Sequence, residues 1–122
     1  MTLLHIMMVL ITIETGVHPD PANAIGDNGK ALGILQMHEA YVADAAEHAN
    51  TTWSHSDALD PSTARKIFLA YMSRYAKMER KPHHMSYAEY VSRIHNGGPT
   101  GHLKDSTISY WHKVKDLIFV SK

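Results

Sequence analysis

The chain has 122 residues, with 12 Lys and Arg balanced by 12 Asp and Glu, ten His and no Cys. That length suits one domain over residues 1–122, able to bury a core without cross-links. The charge balance excludes a bulk field drawing the protein to nucleic acid or a membrane surface, and the lack of Cys excludes a disulfide framework.

Residues 3–13 are apolar almost throughout (Leu3, Leu4, Ile6, Met7, Met8, Val9, Leu10, Ile11, Ile13). This predicts a helix buried on most sides, with Gly16 as its stop. The run has neither the basic start nor the small-residue cleavage site of a leader peptide, and it is shorter than the ~20 residues of a membrane span. It reads as a core helix, with no membrane span. Glu14 closes it.

Residues 17–32 carry two prolines and several Gly and Asn turn positions. The Asn28-Gly29 step predicts a short hairpin, flanked by Asn23-Ala24-Ile25 and Lys30-Ala31-Leu32. Asp27 sits at this turn, where an Asp ordinarily bonds its own backbone. An acid backed by apolar residues and an acid on a polar loop are also what cleavage between two sugars requires. One group stays protonated near neutral pH, and the other works from the opposite face of the ring. The plainer alternative is that both carboxylates are only caps and turns.

Gly33-Ile34-Leu35-Gln36 leads into a helix predicted over residues 37–50, with Leu35, Tyr41, Val42, Ala45 and Ala46 facing inward. Gln36 lies among Leu and Met, where a polar side chain needs partners. The polar connector 50–56 contains Trp53, either a lid on the core or a platform for a sugar ring. Asp60-Pro61 supplies a helix cap and first turn. The following helix is predicted to run to about Arg80, before Pro82, with Ile67, Phe68, Tyr71, Met72 and Tyr75 inward and its Lys and Arg solvated. Ser86-Tyr87-Ala88-Glu89 has the form of a capping box and opens a helix that ends at Asn96-Gly97-Gly98-Pro99. Thr107 begins the last helix, with Ile108, Trp111, Val114, Leu117 and Ile118 as its core face.

Ten histidines invite a metal, but there is no His-Glu-x-x-His and no Cys, and His83 and His84 are adjacent and point apart. No metal and no cofactor are predicted. Basic residues are scattered rather than striped with aromatics, which argues against nucleic acid. No Gly-rich phosphate loop and no Gly-x-Ser-x-Gly elbow occurs.

Taken together, Glu14, Gly26-Asp27-Asn28-Gly29 and Gly33-Ile34-Leu35-Gln36-Met37 resemble the core of the goose-type lysozymes and the SLT-type lytic transglycosylases. Ile94-His95-Asn96-Gly97-Gly98 resembles a later loop of those families, and Tyr110 to Val114 their closing helix. The resemblance implies a mainly α, lysozyme-like α+β fold of about five helices with one small hairpin beside a cleft. It implies that Glu14 and Asp27 are catalytic, and that Gln36, His95, Asn96 and Tyr110 line the substrate site. Where those families carry Tyr, this chain has His95, and His38 stands where goose-type enzymes often have a further Asp. The implied activity is a muramidase, a monomer acting on the β-1,4 bonds of peptidoglycan glycan strands in the bacterial cell wall. Two alternatives stay open: a lytic transglycosylase giving 1,6-anhydro ends, and a non-catalytic glycan-binding module. Without a visible leader, the implied source is bacterial or phage.

Overall fold

The apolar run does form a helix, α1 (Leu3–Thr15). Ile6 and Leu10, one turn apart, are fully buried, and each contributes roughly 1.5–3 kcal/mol by leaving water. The structure, a computed structural model, describes residues 1–120. In chain order α1 is followed by strands β1 (Ile25–Gly26) and β2 (Ala31–Leu32), then α2 (Glu39–Ala49), α3 (Pro61–Tyr75), α4 (Tyr87–Gly97) and α5 (Ile108–Val120). This is the expected class: mainly helical, five helices with one small antiparallel hairpin. No helix among the described residues is long and apolar enough to cross a membrane.

Two compact units divide the chain. One comprises Met1–Ile13 with the chain from Tyr75 onward, and the other Glu14–Arg74. In the second, β1 pairs with β2 in the register Ile25 to Leu32 and Gly26 to Ala31. The turn between them, Asp27–Gly29, runs through left-handed backbone, which the Asn-Gly step accepts. Leu32 and Met37 then exchange both backbone hydrogen bonds, N to O at 3.1 and 3.0 Å, which folds the hairpin's exit back on itself. Tyr41, Val42, Ala45 and Ala46 form the buried face of α2, as its periodicity predicts.

In α3, Ile67, Phe68, Tyr71 and Met72 are buried and Tyr75 only half so. Asp60 Oδ2 accepts from Thr63 N at 2.9 Å and from Thr63 Oγ1 at 2.7 Å, the expected cap. Those bonds hold its carboxyl below the usual Asp range. The α3 basic residues are not all solvated: Arg74 donates to Glu47 Oε1 at 2.8 Å and to the Asp44 carbonyl at 3.0 Å, tying α3 to α2. The helix also ends at Tyr75 rather than near Arg80. Good helix formers follow, but Ala76 is buried and the Tyr90 hydroxyl lies 3.4 Å from the Tyr75 carbonyl, so packing overrides a weak local preference. A short 3-10 turn, Met78–Arg80, takes the place of the last helical turn.

In the first unit, Ser86 caps α4 by accepting from Glu89 N at 3.1 Å. Only half of the expected capping box forms, because the Glu89 carboxylate turns to Arg93 at 2.7 Å. The reciprocal arrangement occurs instead at Ser54, whose backbone N donates to Asp57 Oδ2 at 2.8 Å. Gly98, at φ 90°, closes α4 in a conformation that suits glycine. Along α5, Val114 is fully buried, but Ile108, expected in the core, is exposed. It stands at the first position of the helix, beyond the buried Thr107 that carries the packing there.

Candidate active site

Glu14 is half-buried at the C-terminal end of α1, inside the second unit. Its neighbour Thr15 is buried and donates its hydroxyl to the Ile34 carbonyl at 2.9 Å. This bond fastens the helix end to the segment that leaves the hairpin. Tyr41 is buried and stacks face to face on Tyr71, with ring centroids 3.7 Å apart. Burial above all, then Tyr71 and the Glu14 carboxylate, push the Tyr41 phenol well above its usual range. Tyr41 therefore keeps its proton and presents a neutral hydroxyl within electrostatic reach of Glu14.

Asp27 is exposed at the tip of the hairpin. Its φ is 50°, and Asn28 follows at 55° and Gly29 at 88°. Two successive non-glycine residues in the left-handed region are costly and persist only where the surroundings hold them. Gln36 is one of the holds. It too has a left-handed φ, 49°, and its side-chain amide donates to the Ala24 carbonyl at 3.2 Å and the Gly33 carbonyl at 2.9 Å. Its Oε1 fills the space that a Cβ on Gly26 would need. Gly33, at φ 80°, lies so close to the Ala58 carbonyl that no side chain fits there. The ordinary role of a turn Asp is to bond its own backbone. Here Asp27 Oδ2 instead lies 3.1 Å from His38 Nε2.

The other candidates belong to the first unit. His95 is buried and Asn96 exposed in the last turn of α4, and Tyr110 is buried in the first turn of α5. The loop between these helices is bolted to Arg93, which is 8% exposed. Arg93 donates to Glu89 Oε2 at 2.7 Å, Thr107 Oγ1 at 2.8 Å and the Lys104 carbonyl at 2.9 Å. Thr107 Oγ1 in turn donates to the Gly101 carbonyl at 2.7 Å, and Lys104 Nζ to the Gly97 carbonyl at 2.7 Å. His102 packs edge-on to Tyr90, and burial followed by the Arg93 charge lowers its affinity for a proton.

The fold thus brings Glu14, Asp27 and Gln36 into one unit, and places His95, Asn96 and Tyr110 in the other. Sequence reasoning missed Thr15 and Tyr41 as parts of the site's frame and noted His38 only as standing where goose-type enzymes often have an Asp. Tyr41 reads as an ordinary core position of α2, and nothing local marks Thr15. Trp53 is half-buried and lines a pocket of about 470 Å³ with Glu39, Val42, Ala43, Ser54, His55 and Ser56.

A protein-family profile described as Destabilase matches residues 12–117, which takes in all six candidate residues. The chain is 36% identical over 87 residues to a lysozyme of Meretrix lusoria, covering 71% of this chain and 67% of that protein. It is 37% identical over 84 residues to a lysozyme of Magallana gigas, covering 69% of this chain and 58% of that one. The fold is similar to that of a crystal structure of an inhibitor-bound Meretrix lusoria lysozyme, with a TM-score of 0.70 and 31% identity over 91% of this chain and 86% of that one. The lysozyme-like fold is thus borne out. The finer resemblance to goose-type and SLT enzymes, with its bacterial or phage source and its transglycosylase alternative, finds no support in these relatives.

Proposed function

Because the chain belongs to the Destabilase family, whose relatives include invertebrate-type lysozymes, we propose that it is a glycoside hydrolase acting on peptidoglycan outside the cell. The bond cleaved is the β-1,4 link after N-acetylmuramic acid in the bacterial wall, and the acting unit is one chain. Glu14 protonates the glycosidic oxygen as it leaves, from its place at the end of an apolar helix. Asp27 works from the opposite face of the ring. The anomer formed first decides whether it directs a water, giving inversion, or bonds to the sugar, giving retention.

A single observation carries the reading: the family match spans both carboxylates, and the Thr15 to Ile34 hydrogen bond ties the helix end bearing Glu14 to the hairpin bearing Asp27. Among the substrate-contacting candidates, Asn96 is exposed and offers its amide. His95 and Tyr110 are buried. Gln36 has its amide N–H groups committed to two carbonyls, so it serves the substrate through the hairpin wall it holds.

The test is digestion of purified peptidoglycan with mass spectrometry of the fragments. Reducing ends are expected, and anhydro ends, lighter by one water, would overturn hydrolysis. Glu14→Gln is expected to cut turnover by roughly 10²–10⁴-fold, the usual contribution of a positioned acid, with an unchanged melting temperature. A fully active Glu14→Gln would overturn the assignment of the acid, and no fragments from the wild type would leave only glycan binding.

A further inference from the structure

We propose that His38 is a positioning residue for Asp27, orienting its carboxylate so that one oxygen is left for the reaction. This rests on the reading of Asp27 as the second catalytic group. His38 Nε2 lies 3.1 Å from Asp27 Oδ2, within ion-pair distance, and because a carboxylate can only accept, the imidazole meets it as donor when Nε2 carries a proton. With Oδ2 engaged, Oδ1 is left for the reaction.

Three further observations favour this role over a chance surface contact. First, His38 is the N-cap of α2, yet its side chain makes no capping bond. Histidine is a poor choice for that position, where Ser, Thr, Asp or Asn would satisfy a free N–H and where the helix dipole opposes a cation. Helix stability does not explain the residue. Second, the backbone from which His38 projects is fixed. Met37 is buried, exchanges two backbone bonds with Leu32, and its carbonyl also faces His55 Nε2 at 2.8 Å. The backbone that carries the imidazole is therefore held in place. Third, Asp27 has a left-handed φ on an exposed turn, and among the described residues its side chain makes no bond to its own backbone, so His38 is what orients its carboxylate. Both partners are about half exposed, at 51% and 57% of their side-chain areas, so the pair contributes little to folding and the benefit lies in orientation.

The experiment measures kcat and KM on soluble peptidoglycan fragments for the wild type and for His38→Asn, His38→Gln, Asp27→Asn and the Asp27→Asn/His38→Asn double variant. Asparagine is a better N-cap than histidine but too short to reach Asp27. Glutamine places its amide N–H near the position of Nε2. His38→Asn is expected to lower kcat about tenfold, the worth of one hydrogen bond to a charged group, with KM unchanged and stability retained or raised. His38→Gln is expected to recover most of that loss. In the Asp27→Asn background His38→Asn is expected to add nothing, because both act through one group. A fully active His38→Asn, a His38→Gln no better than His38→Asn, or the same tenfold loss in both backgrounds would each overturn the proposal while leaving Asp27 catalytic. A fully active Asp27→Asn would overturn the reading of Asp27 itself, and this proposal with it.

Discussion

Two glycine-rich turns in this protein are held in opposite ways. The turn at 97–107 is clamped from beneath by a buried guanidinium: Arg93 reaches Glu89, Thr107 and the Lys104 carbonyl, and Gly101 sits so close to the Arg93 carbonyl that a Cβ would collide with it. The hairpin at 25–37 has no such charge inside it. Its tip is exposed and left-handed over three residues, and it is held at its base by the Gln36 amide and at its side by His38. A clamped loop suits the shaping of a wall. A tip that is strained but steered suits a carboxylate which must meet a substrate in one orientation.

The difference can be broken from either side. The largest effect is expected at Arg93. Arg93→Met removes two donations to the loop and one to Glu89, which is left half-buried without its partner, costing about 3 kcal/mol in urea unfolding, in line with the loss of one member of a buried pair. Gly33→Ala comes next. It brings a methyl group against the Ala58 carbonyl at a positive φ, and about 2 kcal/mol of destabilisation is expected, with lowered turnover because the hairpin must shift. The smallest effect belongs to Asn28. Asn28→Ala is expected to cost about 1 kcal/mol from its left-handed backbone, whereas Asn28→Gly should be close to neutral in a thermal melt. If Asn28→Ala melted with the wild type, the tip would not be strained and the contrast between the two turns would fail.

Parts of this design are written locally and were legible. The largely apolar run of residues 3–13 forms the expected helix, with Glu14 near its end, but it is buried on one side only: Ile6, Met7 and Leu10 are inside while Leu4 and Met8 stay more than half exposed. Asn28-Gly29 accepts positive φ at both residues, so a tight turn between two short strands follows from backbone sterics. Asp60-Pro61 and Ser86 cap helices because a side-chain oxygen three residues before an N–H reaches it whatever the rest of the fold does. The pairing of one apolar-backed acid with one loop acid was visible for the same reason, since each environment is set within a few residues.

What stayed hidden involves choices between partners far apart in sequence. Glu89 could close a capping box or pair with Arg93, and only the packing of Arg93 against Thr107 decides for the latter. Arg74 reads as solvated until α2 brings Glu47 to it. The α3 helix has the composition to reach Arg80, but the buried Ala76 and the approach of Tyr90 to Tyr75 end it early. Glu14 and Asp27 are thus marked by their own neighbours in the chain. That Gln36 braces the hairpin, that Tyr41 sets a neutral hydroxyl near Glu14 and that His38 stands against Asp27 were decided by tertiary structure. Such contacts depend on distances between segments, and no local preference of the backbone encodes them.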